Sequence, residues 1–281
     1  MSSLTTASQP STERIPMKIL TLDEIRNQAP AAFATQPNPK VSKRYGFIST
    51  VETLKAYENL GWFPVKARQS FTRIESNRPY TRHEITFARP DEKPIEKLGD
   101  VSPRIRLLNS HGTESTWNNI AELCRMICSN GLVVSMGSAF DFRVRHTMSA
   151  VENITETIGK IGEAFPMILS KAEAWSQLKL GDGKILALGA AALSIRYGQD
   201  ESKWPANPMA ISLTTRRQDD VGNDLWTVFN RVQENITRNG NVPTNKVNNR
   251  RRSIRTIRSI DSDLTINKKL WEAAEQLALS A

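Results

Sequence analysis

Apolar positions alternate with polar ones in some stretches and recur every three or four residues in others. The two periods separate the predicted strands from the predicted helices. Residues 17–28, with Leu20, Leu22 and Ile25, read as a short helix, and Pro30, Pro37 and Pro39 keep the chain irregular after it. Ser49 and Glu52 have capping-box spacing. They open a helix whose apolar face is Val51, Leu54, Tyr57 and Leu60 and which stops at Gly61. From Trp62 to Ile74 the alternation predicts a strand with Lys66, Arg68, Ser70 and Thr72 on one face and Val65, Ala67 and Phe71 on the other. Asn77-Arg78-Pro79 is a turn, and residues 81–89 return as the second strand of a hairpin, Ile85 and Phe87 opposite Arg82, Glu84 and Thr86.

A third strand alternates Arg104 and Arg106 with Ile105 and Leu107. After the polar turn Asn109-Ser110-His111-Gly112, Trp117, Ile120, Cys124 and Ile127 fall at helical spacing. They predict a helix capped by hydroxyls in 113–116 and closed at Asn130-Gly131. Residues 132–135 and 140–146 are short strand candidates, the second alternating Phe140, Phe142 and Val144 with Asp141, Arg143 and Arg145.

The C-terminal half has helical period. Val151, Ile154, Ile158, Ile161, Phe165, Ile168, Ala172 and Trp175 form an unbroken heptad seam, and Pro166 interrupts its backbone bonding. Such a seam packs either inside its own domain or against a neighbouring subunit. Residues 185–197 predict a small-residue helix and 204–208 a loop. Residues 224–238 predict an amphipathic helix burying Leu225, Phe229, Val232 and Ile236, and 267–279 a last helix burying Leu270, Trp271, Ala274 and Leu277. The expected fold class is α+β. An antiparallel sheet of three to five strands in a helix-β-β-β-helix core (44–147) follows a disordered arm with a short helix (1–43). A helical region (148–281) carrying a basic loop (239–262) packs on that core.

Charge changes the picture more than composition does. With 39% hydrophobic residues the 281-residue chain can bury a core, while its net charge is +9 and its pI near 9.7. Such a balance suits nucleic acid, an anionic surface or an acidic partner. Lys246, Arg250, Arg251, Arg252, Arg255 and Arg258 fall within one acid-free stretch. Such a run is costly to hold together unless a polyanion approaches. Cys124 and Cys128, four apart on one predicted helix, read as buried thiols; with His83, His111 and His146 unpaired in spacing, no metal site is expected. Gly181-Asp182-Gly183 lacks the spacing and the Lys-Ser/Thr ending of a phosphate loop. No cofactor is expected. No apolar run reaches membrane-spanning length, and the expected location is the cytoplasm.

Five stretches carry a resemblance: Leu108-Asn109-Ser110-His111-Gly112, Cys128-Ser129-Asn130-Gly131-Leu132, Arg143-Val144-Arg145-His146-Thr147, Leu225-Trp226-Thr227-Val228-Phe229-Asn230 and Asn267-Lys268-Lys269-Leu270-Trp271. With them the chain resembles, from about Arg44 onward, a phage- and plasmid-borne family designated by a numbered domain of unknown function. That resemblance implies a mobile-element setting and no chemistry. Over 49–131, the order helix, Gly61-Trp62, three strands, helix also resembles the single-strand annealing proteins, the Red-beta, RecT and Erf families and the eukaryotic ring-forming mediator. This second resemblance rests on element order and one dipeptide. It implies a homo-oligomer, a ring or a filament, that lays single-stranded DNA or RNA in a basic groove and anneals it without ATP. Lys66, Arg68, Arg82, Arg104, Arg106, Arg143 and Arg145 would line the strands. Arg250, Arg251, Arg252, Arg255 and Arg258 would add a second surface.

The expected function is therefore non-enzymatic, with no catalytic residues. The competing readings are a metal-dependent nuclease, for which His111, His146, Asp141 and Glu114 are the best residues, and a protein that binds a host factor through the heptad seam or the basic loop.

Overall fold

The computed structural model describes residues 17–43, 45–98, 101–112, 117–125, 131–133, 141–144, 152–216, 220–238, 240, 242–244, 246–247, 250–251 and 253–280. The fold is α+β. An antiparallel sheet is built from β1 (Phe63–Gln69), β2 (His83–Ala88), β3 (Val101–Asn109) and β4 (Trp117–Arg125), in that order. The fifth position is filled end to end by two short strands: β5 (Gly131–Val133) pairs with Glu122–Cys124, and β6 (Asp141–Val144) with the Trp117–Ile120 stretch.

Two helices precede the sheet. In α1 (Leu22–Gln28), Thr21 and Glu24 form a reciprocal capping box, and Ile25 is fully buried. α1 and the turn Pro30–Phe33 pack on the core, so the stretch expected as an arm is part of the fold from Met17 onward. α2 (Thr50–Asn59) starts where Ser49 accepts the Glu52 N–H, and ends at Gly61, whose φ of +78° an L side chain rarely adopts.

Paired strand residues share a face, and the register divides the sheet into two. Ala67, Ile85, Phe87, Ile105, Leu107, Trp117, Ala121 and Leu123 form the core face. Tyr57 of α2 stacks on Phe87 at 3.9 Å. The opposite face carries Lys66, Arg68, Glu84, Thr86, Arg104, Arg106 and Glu122.

The expected helix at 113–131 is overturned: Trp117–Arg125 is strand β4. Trp117, Asn119, Ala121 and Leu123 point to one face, and Asn118, Ile120, Glu122 and Cys124 to the other. A strand covered on both sides loses the clean alternation that reveals it. Cys124 therefore lies in a strand rather than on a helix face with Cys128, which is outside the described residues. Gly131 opens β5 instead of capping a helix. The first strand also ends earlier than expected, at Gln69, so Phe71 leaves the sheet instead of joining its core face.

The heptad seam is internal. On α3 (Glu152–Gln177), Ile154, Ile158, Ile161, Phe165, Ile168, Ala172 and Trp175 are all at most 5% exposed and belong to the chain's own core. That core is continuous from Ile25 to Ala274. Further helices are α4 (Asp182–Tyr197), α5 (Pro208–Leu213), which begins at the end of the expected loop, and α6 (Leu225–Thr237). α6 is the central helix, buried nearly all round. Its polar side is spent internally: Arg231 donates to the carbonyls of Ser212, Asp220 and Gly222, and Asn235 to those of Ile211 and Thr214.

α4 can approach α5 because of Gly189. A Cβ there would come within 2.2 Å of Ser212 Oγ and 2.6 Å of the Pro208 carbonyl oxygen. We expect Gly189→Ala to cost about 1–3 kcal/mol through overpacking, read as a lowered thermal midpoint.

The basic segment forms a two-stranded ribbon, β7 (Lys246–Val247) with β8 (Arg250–Arg251). Its exit is pinned by buried Ile254 and by the Ile257 N–H donating to the Thr237 carbonyl at 2.9 Å. The last helix, α7 (Ile260–Leu279), starts seven residues before the expected Asn267, capped by Ser259. Among the described residues no helix is long and apolar enough to cross a membrane.

Candidate nucleic-acid interface

The early start of α7 decides what the charged sheet face does. Its first turn brings Asp261 and Asp263 over the strands. Ile260 and Leu264 pack there on Leu108 and Ile120, a small apolar cluster separate from the main core. Arg68 makes a two-pronged contact with Glu84, at 2.9 and 2.8 Å, and reaches Asp263 at 3.0 Å. Arg106 lies 2.8 Å from Glu122, 3.0 Å from Asp263 and 3.6 Å from Glu84. Arg82 pairs with Asp261.

The electrostatics follow from burial and proximity. Burial lowers the affinity of the Arg106 guanidinium for its proton, but Glu122, Glu84 and Asp263 together raise it above the ordinary arginine value. Burial raises the Glu122 carboxyl, against the opposing pull of Arg106. Burial would raise Asp263 as well, yet Arg106 and Arg68 hold it below the usual aspartate value. Burial lowers Arg104, whose guanidinium donates to the Pro103 carbonyl at 3.0 Å. Among the described side chains, the five cations Lys66, Arg68, Arg82, Arg104 and Arg106 meet four carboxylates, Glu84, Glu122, Asp261 and Asp263. Glu92 adds a further negative charge near Arg104, so the described cations and carboxylates are close to balance.

The expected accumulation of cations on one face is therefore present, but the open basic groove is not. Arg104 and Arg106 are 5% and 2% exposed, and Arg68 and Arg82 are half-buried in ion pairs. Of the strand cations in the described sheet face, Lys66 is exposed. For Arg143, Arg250 and Arg251 the backbone alone is described, in β6 and β8. Arg145 and Arg252 lie outside the described residues. Arg255 and Arg258 are exposed between the ribbon and α7, with no carboxylate against either guanidinium among the described residues. The sequence reading missed Glu84, Glu122, Asp261 and Asp263 as counter-charges. Ser259 followed by two aspartates within one turn is a helix-start signal that would have exposed two of them.

Comparison with known proteins adds the family. A family model described as "Domain of unknown function (DUF932)" matches residues 39–271. The chain belongs to the DUF932 family. Two Escherichia coli (strain K12) relatives, the UPF0380 proteins YafZ and YfjQ, are 33% and 32% identical to it over 259 residues, covering 92% of this chain and 91% of each relative. No solved structure matches. The DUF932 match takes in the sheet, the ribbon and α7 as far as Trp271. The single-strand annealing resemblance loses part of its basis, because the element after the third strand is β4, not a helix.

In this DUF932 protein the Leu108–Gly112 stretch is wholly buried where β3 ends against α2. The Asn109 amide donates to Thr50 Oγ1 at 2.9 Å. Thr50 Oγ1 lies 2.7 Å from His83 Nε2, and His83 Nδ1 lies 3.1 Å from the Thr81 carbonyl. A carbonyl can only accept, so Nδ1 donates to it, and in the neutral ring Nε2 accepts from the threonine. His111 stands 3.5 Å from the same hydroxyl, between the rings of Phe47 and His83. Its surroundings are those of a packed polar knot. Asp141 lies in β6 with only its backbone described, and Glu114 and His146 lie outside the described residues. Among the described residues no three His, Cys, Asp or Glu converge to hold a metal ion.

Proposed function

We propose that this DUF932 protein is a non-enzymatic single-stranded nucleic-acid-binding protein of a phage or plasmid setting, and that it promotes annealing without ATP. The observation that carries this reading is the segment from Lys246 to Arg258. It holds six cations and no acid, and it is displayed as a ribbon and an extended exit between α6 and α7. Arg255 and Arg258 are exposed on that exit while its backbone is anchored. Cations presented this way neutralise phosphates and leave base edges free to pair, which is all that annealing requires. On this reading the charged sheet face, whose arginines are paired, anchors the first turn of α7 and is not the main contact surface. Assembly into a ring or filament would use surfaces other than the α3 seam.

The test is annealing of two complementary fluorescent oligonucleotides in EDTA, with single-strand binding followed across a salt series. We expect accelerated annealing and steep salt dependence. The double variant Arg255→Glu/Arg258→Glu should bind more weakly, with the slope of log K against log salt reduced by roughly one to two. No wild-type binding at low salt would overturn the reading. Strand cleavage that EDTA abolishes would favour a metal-dependent nuclease instead. Capture of a host protein that survives nuclease treatment would favour a protein partner.

A further inference from the structure

Where β1 ends, the chain exposes an aromatic ring that the core does not use. Gln69 is held by the Ala31 N–H at 2.8 Å, and the Ser70 N–H donates to the Arg82 carbonyl at 2.7 Å. Phe71, the next residue, is 89% exposed. It is the one aromatic side chain among the exposed large hydrophobics of the described residues; Ile74, 58% exposed, stands beside it. Isolated exposed aliphatic residues are ordinary on protein surfaces. A nearly bare phenyl ring at a turn is less so, and its neighbours are Arg73 and Arg78, both exposed, against a single acid, Glu75.

The same end of the sheet receives the first turn of α7. Arg82, bonded through its carbonyl to Ser70, pairs with Asp261, and Arg68 pairs with Asp263. Arg258 lies three residues before Asp261, and Phe71 three residues after Arg68. Each is thus within about 11 Å of chain from these ion pairs. The acidic first turn of α7 therefore ties the chain that carries Arg258 and the turn that carries Phe71 to one set of ion pairs. A phosphate backbone lying along Arg255 and Arg258 would bring its bases toward that turn.

We propose that Phe71 is a stacking platform for an unpaired base, and that it makes the surface selective for single strands over duplex. The inference rests on the nucleic-acid reading above and deepens it. A base in a duplex already has both faces covered by its neighbours, whereas an unpaired base can lay one face on a phenyl ring regardless of sequence. Arg73 and Arg78 would then flank the stacked nucleotide and meet its phosphates.

The test compares Phe71→Ala, Phe71→Leu and Phe71→Trp with wild type, for binding to oligo(dT) and to a duplex of equal length. We expect Phe71→Ala and Phe71→Leu to lose about tenfold in oligo(dT) affinity with an unchanged salt slope, Phe71→Trp to retain it, and duplex binding to stay as in wild type. Thermal midpoints should not move, because the ring touches little of the core. Wild-type oligo(dT) affinity in Phe71→Ala, alongside a loss in Arg255→Glu/Arg258→Glu, would overturn the stacking role and leave the nucleic-acid reading standing. Equal losses on single strand and duplex would also overturn it. No wild-type binding would remove both.

Discussion

An Arg106→Met variant is expected to lose about 3–5 kcal/mol of stability at neutral pH, and the deficit should shrink as the pH falls toward 5. Methionine fills much of the volume of the arginine stem, so packing changes little, but Glu122 loses its partner at 2.8 Å inside a buried face. Arg68 remains to compensate Glu84 and Asp263. The sign follows from the two carboxyls. Glu122 is already raised by burial against Arg106. A carboxyl raised in the folded state lends stability at low pH that is lost as pH climbs through its folded value. Removing Arg106 raises it further, so the native variant takes up a proton at a pH where wild type does not. Asp263 is lowered by Arg106 and Arg68; its contribution is present above its unfolded value, about 3.9, and is lost as pH falls through its folded one. Part of that contribution disappears in the variant. The Glu122 effect makes the difference from wild type larger at pH 7–8 than near pH 5, whereas the Asp263 loss is the same at both and fades only below about 3.9. Denaturant unfolding at several pH values measures it. A deficit that stays constant from pH 8 down to about 5 would mean that Glu122 does not respond to the loss of Arg106.

That network also shows which parts of the fold were legible in the sequence. The α3 seam could be read because Ile154 through Trp175 keep one apolar face, and the β1–β2 hairpin because Ala67, Ile85 and Phe87 alternate with charged neighbours. β4 could not be read, because its second face is covered by α7, and Ile120 on that face imitates helical spacing. The candidate site was half legible. The cations declared themselves by alternation. Their counter-charges come from Asp263, 195 residues from Arg68 and 157 from Arg106, and from Glu122, hidden in the misread segment. Local periodicity carries no information about partners that distant. Alternation continues past Gln69 to Ile74 and puts Phe71 on the core face, although β1 ends at Gln69; no period marks where a strand stops.

The second large effect is expected in α3. Ile158→Asp should abolish folding rather than change the oligomeric state. Ile158 is 1% exposed, in the same core cluster as Ile154, Ile161 and Phe165. A carboxylate there has no cation among those neighbours, and burying an unpaired charge ranks among the most destabilising single changes known. The loss of buried side-chain contacts adds a cavity cost of about 1 kcal/mol or more. Together these take most of the roughly 5–15 kcal/mol by which natural domains are stable. The contrast is Met167, on the same helix but 58% exposed. Met167→Asp should leave the thermal midpoint within about 2 °C of wild type, since exposed substitutions shift stability by only about ±0.5 kcal/mol. Light scattering and circular dichroism on the pair separate the cases. If Ile158→Asp gives a folded monomer where wild type is larger, the seam is a subunit interface and the internal packing described above is wrong. If it is unfolded while Met167→Asp is native, any self-assembly of this protein must use another face, and the basic ribbon and the turn bearing Phe71 stay available to a single strand.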